Sequence, residues 1–406
     1  MQNPSLISIL AWAVATITIQ LLPLCDALIF MADGSKLLRL IPPTMLIAYA
    51  SIQCTIPLIL SALFIKIVRS FWEKLIVWTL SLWLYFLFVE YKFFWAIGRW
   101  EGYPFLNPLL PFAIYPWICF PSWPVPLLLL CYCILTSTIA GIILQLKPKK
   151  AFVFIFILLI FTSFLLYQPK KEINCALLHS IGHLPISFAN SSCELICALL
   201  DHEIDMILKK NPTITTIILP ESSWNSTSIQ NLPLLPMRWN GTLIIGSFGK
   251  LDNIFFNRIY YFNNRKIQNI HDKTHLIPLT ETPIDGIAHL NKKLYFSKSP
   301  PLSPSNKKRE HWHIYPLGIC IPTICSEFFC NLYNIPNIKH CWHLVLANDY
   351  WFRITHFQLL MALKGRFNAM LWQHSVLYIS YYYAQGWNCN GSALKIGTTP
   401  PERFID

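Results

Sequence analysis

A carboxylate, an amine and a thiol, each in a setting suited to catalysis, lie in the second half of this 406-residue chain. Glu221 follows the strand-like TTIILP, Lys273 begins the segment KTHLIPLTE, and Cys325 follows the apolar PLGICIPTI. A thiol is mostly protonated at neutral pH, so an acylating cysteine needs a base and a nearby positive charge. Glu221 can serve as the base, and Lys273 can supply the charge and stabilise an oxyanion. The three residue types therefore predict acyl chemistry on Cys325.

The residues around these three positions narrow the prediction. Lys273 is followed eight residues later by a second acid, Glu281, through the segment LIPLT, and Glu327 lies two residues after Cys325 in the segment ICSE. Farther along, residues 348–352 read NDYWF. These contexts, with the order Glu, Lys, Cys, resemble apolipoprotein N-acyltransferase, a membrane-anchored family of the nitrilase (carbon-nitrogen hydrolase) superfamily.

The resemblance implies a fold, a reaction and partners. It implies an α/β domain built as a four-layer α-β-β-α sandwich, in which a thioester on the cysteine carries an acyl chain from a phospholipid to an amine such as a lipoprotein N-terminus. It assigns catalytic roles to Glu221, Lys273 and Cys325 and supporting roles to Glu281 and Glu327. The protein is also expected to contact membrane lipid. No cofactor, no metal and no directly bound nucleic acid are expected.

The departures from the family pattern keep other functions open. Ser326 stands where the acyltransferases carry an aromatic residue, residues 353–356 replace an expected glycine-rich loop, and residues 386–406 are too polar for the membrane span with which the family ends. These changes favour a different acceptor. The alternatives are a nitrilase-like amidase or acyl-transfer protein of a conjugal DNA-transfer system, and a catalytically idle envelope protein used for assembly.

The first 170 residues have the composition of a membrane domain. Long segments carry no charged side chain: 1–25, 40–65, 75–89, 102–146 and 151–168. A helix needs roughly 20 apolar residues to cross a hydrocarbon core of about 30 Å. Prolines crowd the first half of the fourth segment, so only residues 125–145 of it are predicted to span. We predict an α-helical bundle of about five transmembrane helices over residues 1–170, with six as the alternative.

Basic residues predict the orientation of that bundle. Two connections carry six of them (Lys66, Arg69, Lys74, Lys147, Lys149 and Lys150), and the alternate connections carry four (Lys36, Arg39, Lys92 and Arg99). The positive-inside rule then places the N-terminus inside a bacterial inner (plasma) membrane. After five spans, residues 171–406 form a domain on the outer, periplasmic face.

The remaining patterns bound the outer domain. The net charge of +12 divides almost evenly between the two halves, which argues against a nucleic-acid patch. Eight of the thirteen cysteines follow residue 170, so at most three disulfides are possible if Cys325 stays free. Periodicity predicts strands at 215–220, 242–248, 258–262, 314–324, 343–347 and 376–383, and helices at 193–209 and 357–371.

Overall fold

The computed structural model of the chain describes separate stretches. In the first half these are residues 15, 18, 22, 25–30, 32, 35–45, 47–48, 63, 67–68, 70–90, 125–147, 149–150, 153–154 and 157; in the second half they are 178–181, 193–224, 234–277, 281–283, 288–295, 301–305, 311–328, 341–349, 364–366, 368–370, 372–381, 384–394 and 396–399. The chain forms two compact units. One comprises Met1–Pro169, Leu332–Asn334 and Phe352–Gln373, and the other comprises Lys170–Asn331, Ile335–Trp351 and His374–Asp406.

Two long helices are described in the first unit, α1 (Phe71–Glu90) and α2 (Val125–Gln145). A capping box starts α1: the backbone N–H of Ser70 donates to the Glu73 carboxylate at 3.0 Å, and the Glu73 N–H donates to the Ser70 hydroxyl at 3.1 Å. The helices pack closely at Gly141 of α2, where an added Cβ would lie 3.3 Å from the Phe71 ring.

The predicted bundle of about five membrane spans falls largely on residues outside this description. Among the helices formed by the described residues, none is both long and apolar enough to cross a membrane. The bundle, its orientation and the domain boundary at residue 170 stay predictions.

The second unit contains two six-stranded sheets, which we call sheet A and sheet B. The strands are β1 (Leu178–Ile181), β2 (Thr216–Ile218), β3 (Thr242–Leu251), β4 (Ile254–Asn263), β5 (Lys266–Asp272), β6 (Trp312–Ile314), β7 (Gly318–Ile324), β8 (Trp342–Leu346), β9 (Ser375–Ile379), β10 (Ala384–Trp387), β11 (Ala393–Leu394) and β12 (Gly397–Thr399). Sheet A has the order β12-β1-β2-β3-β4-β5 and sheet B the order β11-β10-β9-β8-β7-β6. Neighbours are parallel from β12 through β3 and from β7 through β9, and antiparallel elsewhere.

Alternating side chains pack the two sheets face to face. Successive strand residues point to opposite faces, so Ile218 and Ile244 of sheet A join Leu344 and Leu346 of sheet B in one buried cluster. On the other face of sheet A, Ile217 belongs to a separate cluster that buries the apolar side of the helix Cys193–Lys210. The α/β class predicted from sequence is confirmed, with helix, sheet and sheet as three stacked layers.

Two helices of the second unit are described, α3 (Cys193–Lys210) and α4 (Ala288–Tyr295). Helix α3 confirms the helix predicted at 193–209, and its buried residues repeat at helical spacing: Cys193, Ile196, Cys197, Leu200, Ile204 and Ile207. The predicted helix at 357–371 lies mostly outside the described residues. The fourth layer of the expected sandwich therefore stays a prediction.

Two strand predictions need correction. The single strand predicted at 314–324 is a hairpin, β6 and β7, because the chain turns at residues 315–317 and Gly318 takes a positive φ of 84°. The strand predicted at 376–383 ends at Ile379, where the chain turns back into β10. Strand β5 was not predicted, since polar residues interrupt its KIQNIHD sequence.

Candidate active site

Each of the three predicted catalytic residues follows the carboxyl end of a strand. Glu221 follows β2 and Lys273 follows β5 in sheet A, and Cys325 follows β7 in sheet B. Strands β2 and β3 are parallel, and the antiparallel pairings of β3 with β4 and of β4 with β5 make β5 run in the same direction. The carboxyl ends of β2 and β5, which Glu221 and Lys273 follow, therefore lie on the same side of sheet A. The structure brings them together: Lys273 Nζ donates to Glu221 Oε1 at 3.3 Å.

Lys273 is buried and held by two carboxylates. Its side chain has no exposed surface, and its Nζ donates to Glu281 Oε1 at 2.7 Å in addition to Glu221. Its backbone N–H donates to the carbonyl of Asn257 on β4 at 2.8 Å. A buried ammonium is costly unless it is paired, and here both pairings are present. Lys273 is thus fixed in place as a positive charge.

Asn257 was not among the predicted site residues, yet it links the two acids. Its side-chain Nδ2 donates to Glu221 Oε1 at 2.5 Å and to Glu281 Oε1 at 3.1 Å. Glu281 is tied down further, because its Oε2 accepts the backbone N–H of Ile277 at 2.6 Å. The signal available in the sequence was the segment FNR at 256–258, which places a polar amide within a largely aromatic strand.

Glu221 also receives a hydrogen bond from a third strand. Its Oε2 accepts the backbone N–H of Asn348, just after β8, at 2.8 Å. Of the Glu221 side chain only 5% is exposed. The carboxylate therefore faces Lys273 and Asn257 on one oxygen and the Asn348 amide on the other, which leaves its orientation no freedom.

The backbone that presents Glu221 requires a glycine on the neighbouring strand. A Cβ added to Gly246 of β3 would lie 2.5 Å from Glu221 Cα and from the Pro220 carbonyl oxygen. The next residue, Ser222, has a positive φ of 59°, and its carbonyl accepts the Tyr381 hydroxyl at 3.1 Å. Close approach of β3 and a turn in the left-handed region thus aim the acid.

Cys325 is presented on a strained backbone. It has a φ of 39°, in the left-handed region that non-glycine residues rarely adopt, and it begins the 3₁₀ turn Cys325–Phe328. Such strain persists where the surroundings over-determine the conformation, often at functional sites. As a residue Cys325 is half-buried, whereas Lys273 is fully buried.

Glu327 joins the cysteine loop to the lysine loop. Its Oε2 accepts the backbone N–H of Ile324 at 2.8 Å and lies 2.9 Å from His271 Nε2, and its Oε1 accepts both the backbone N–H and the hydroxyl of Thr274 at 2.6 Å each. Ile324 precedes Cys325, and Thr274 follows Lys273. Glu327 thus fixes the nucleophile relative to the ammonium, with His271 as a partner that sequence reasoning missed.

The site shifts the pKa values of all three residues. Burial raises the pKa of Glu221, and the nearby Lys273 ammonium only partly offsets this. Burial alone would lower the pKa of Lys273, but Glu221 and Glu281 outweigh it and raise that pKa. Burial raises the pKa of the Cys325 thiol, as does Glu221, whereas Lys273 and the Asn348 amide lower it. The arrangement favours a thiol at rest beside a carboxyl poised to accept its proton.

Comparison with known proteins adds structural likenesses only. No family model and no curated protein matches the sequence. Saccharomyces cerevisiae Nit3, a member of branch 10 of the nitrilase superfamily, is 16% identical, with 50% of this chain and 79% of that chain covered and a TM-score of 0.34. A carbon-nitrogen hydrolase from Helicobacter pylori is 11% identical, with 50% and 80% covered and a TM-score of 0.36. Likenesses at this level carry no argument about activity.

Proposed function

We propose that the chain is an acyl-transferring enzyme of nitrilase type, with Cys325 as nucleophile, Glu221 as general base and Lys273 as oxyanion stabiliser. One observation carries the proposal. A fully buried lysine is held by Glu221 and Glu281, and Glu327 joins its loop to the cysteine turn through hydrogen bonds from Thr274 and Ile324. This combination of base, charge and nucleophile is what thioester chemistry requires.

In the first half-reaction, the Cys325 sulfur attacks the carbonyl carbon of the acyl donor, and its proton passes to Glu221 as the S–C bond forms. Lys273 stabilises the negative oxygen of the tetrahedral intermediate, a role worth several kcal/mol in a closed site. The bond from carbon to the leaving oxygen or nitrogen then breaks, and Glu221 returns the proton to the leaving group. The product is an acyl thioester on Cys325.

In the second half-reaction, an acceptor gives its proton to Glu221 and attacks the thioester carbon. Lys273 again stabilises the oxyanion. The S–C bond breaks, and the proton on Glu221 returns to the Cys325 sulfur, which restores the resting site. Glu281 and Glu327 act as positioning residues, because their bonds hold the ammonium and the cysteine turn.

The donor and acceptor follow from the family resemblance and the apolar first half of the chain. We propose a phospholipid as the acyl donor and an amine, such as a lipoprotein N-terminus, as the acceptor. The altered residues at Ser326 and at 353–356 support the second candidate, a nitrilase-like amidase or acyl-transfer protein acting on a different substrate, as in conjugal DNA-transfer systems. An idle assembly protein is disfavoured by a site whose acid, amine and thiol are all present.

We further propose that residues 1–170 anchor the enzyme in the bacterial inner membrane and that the site faces the outer side. In intact spheroplasts, added protease is then expected to cleave the segment after residue 170. An impermeant amine reagent is expected to miss Lys66, Lys74 and Lys147. Protection of the second unit in sealed spheroplasts would reverse the orientation and exclude an envelope substrate.

The substrate class is tested with purified full-length protein and three reactions. These are a labelled phospholipid with an amine peptide, the same phospholipid without the peptide, and a simple amide from which ammonia release is followed. Transfer to the peptide supports the acyltransferase, and ammonia release without lipid turnover supports the amidase. Cys389→Ala, which alters an exposed cysteine, is the matched control for Cys325→Ala. Equal activity of Cys325→Ala and the control in either reaction would refute both candidates.

A further inference from the structure

A second cluster of metal-binding residue types lies in sheet B, away from the catalytic residues. Cys341, His343 and His374 are all buried, with 1%, 0% and 5% of their surfaces exposed. One ligand atom from each lies within 4.8 Å of the other two. The proposed acyl chemistry uses none of them.

Strand register explains why these three side chains meet. In the parallel pair β8 and β9, Trp342 lies opposite Ser375, so the preceding residues Cys341 and His374 are neighbours. The backbone N–H of Ser375 donates to the carbonyl of Cys341 at 3.1 Å, which closes the pair at this end. His343 lies two residues after Cys341, and residues i and i+2 of a strand share a face.

The cluster occupies the opposite end of β8 from the catalytic site. Cys341 directly precedes the strand and His343 is its second residue, whereas Asn348, which contacts Glu221, follows its other end. At about 3.3 Å per residue, His343 and Asn348 are separated by about 16 Å. Any ligand of the cluster is therefore separate from the acyl site.

The two histidine nitrogens already lie close to the spacing that a metal site requires. His343 Nε2 lies 3.0 Å from His374 Nδ1, and the two rings are nearly parallel. In a tetrahedral zinc site with Zn–N of about 2.0–2.1 Å, two imidazole nitrogens lie about 3.3 Å apart. The pair would need to widen by only about 0.3 Å to replace its shared proton with a metal ion.

We infer that Cys341, His343 and His374 bind one transition-metal ion, with Zn²⁺ as the preferred occupant. Thiolate and imidazole together are the ligand types that select Zn²⁺ over Mg²⁺ or Ca²⁺, and three protein ligands leave a fourth position for water. The ion would tie the first residues of β8 to those just before β9. It would thereby hold one end of the strand whose other end presents Asn348.

Cobalt titration of the full-length protein tests the inference. Cys325→Ala serves as the background, so that the active-site thiol contributes no metal signal. After treatment with a chelator and its removal, we expect one equivalent of Co²⁺ to bind with a thiolate-to-cobalt charge-transfer absorption, and Zn²⁺ to displace it. Added Zn²⁺ is also expected to raise the Tm.

Variants assign the signal to the cluster. Cys341→Ser is expected to abolish the charge-transfer absorption, and His343→Gln or His374→Gln to weaken binding at least about ten-fold. Cys389→Ser and His202→Gln, at exposed positions, are the matched controls and should bind as the background does. Persistence of the absorption in Cys341→Ser, or failure to bind a full equivalent, would overturn the inference.

X-ray absorption of the zinc-loaded background protein decides the matter without ligand variants. One sulfur at about 2.3 Å and nitrogen or oxygen ligands at about 2.0–2.1 Å are expected. A shell without sulfur, or with two, would contradict the assignment. Because the measurement needs no turnover, its failure is distinguishable from failure of the proposed acyl chemistry.

Discussion

Replacement of Glu327 by glutamine removes one hydrogen-bond acceptor from a carboxylate whose two oxygens both make hydrogen bonds. Glu327 Oε1 accepts two bonds from Thr274, and Oε2 accepts one from Ile324 and lies in hydrogen-bond contact with His271. A glutamine side chain keeps one oxygen but presents an N–H₂ donor on its other side. Whichever way the amide faces, donors meet donors.

The cost of this substitution can be worked out from the four contacts. The Thr274 hydroxyl can rotate and the His271 ring can change tautomer, so both can become acceptors. The backbone N–H groups of Thr274 and Ile324 cannot, and the two lie on different oxygens. One of them must lose its acceptor while buried, which costs about 1–3 kcal/mol. Loss of the charge weakens the remaining bonds, so the total lies toward the upper end of that range.

Equilibrium denaturation of the purified Glu327→Gln protein measures the effect as a change in the free energy of unfolding. Glu194→Gln on the exposed surface of α3 is the matched control, for which we expect a change within about 0.5 kcal/mol. The acylation rate should also fall, because Ile324 and Thr274 flank the nucleophile and the ammonium. A Glu327→Gln protein as stable as the control would refute the role of Glu327 in joining the two loops.

Four further outcomes are expected. In single-turnover labelling, Glu221→Gln should lower the rate of thioester formation by about 100-fold or more, whereas Glu281→Gln should slow both the formation and the breakdown of the thioester. Acylation of Glu221→Gln at the normal rate would move the base role to Glu281. Because burial raises the pKa of Glu221, the acylation rate should rise with pH through a midpoint above the ordinary range of a glutamate. The contribution of Glu221 to the free energy of unfolding has the opposite pH dependence. A carboxyl group whose pKa is raised by folding stabilises the fold most at low pH, and this contribution is lost as pH rises through the folded-state pKa. Denaturation curves across pH, with Glu221→Gln as the control, measure it. Gly246→Ala should destabilise by about 1–3 kcal/mol, because the new methyl group meets backbone atoms that cannot move easily; Gly386→Ala, whose Cβ would meet a side chain at 3.1 Å, should cost less in the same denaturation assay.

The local sequence was sufficient to predict the strands whose two faces are both apolar. The buried parts of β2, β3 and β8 are short apolar runs, and Glu221 could be placed at a strand end from the run TTIILP alone. Strand β5 was missed because it is an edge strand with alternating exposed residues, and its pairing with β4 outweighs its weak propensity. The strand that presents Lys273 was therefore among those that periodicity could not predict.

Contacts between distant segments explain the rest of what sequence did not predict. Glu221 and Asn348 are 127 positions apart, and only the pairing of the sheets brings the Asn348 amide to the carboxylate. His271 and Glu327 meet across the two sheets for the same reason. The spacing of a motif predicts which residues lie near a nucleophile in the sequence. Hydrogen bonds between distant segments depend on the register of the sheets, which that spacing does not predict.

The acyl thioester on Cys325 is the intermediate on which the proposed reaction depends. The purified protein is incubated with a labelled phospholipid or amide donor, quenched in acid, digested and mapped by mass spectrometry, with and without hydroxylamine. We expect an acyl adduct on Cys325 that hydroxylamine removes and that is absent from Cys325→Ala but unchanged in Cys389→Ala. An adduct on another residue, or turnover of donor by Cys325→Ala at the wild-type rate, would contradict it.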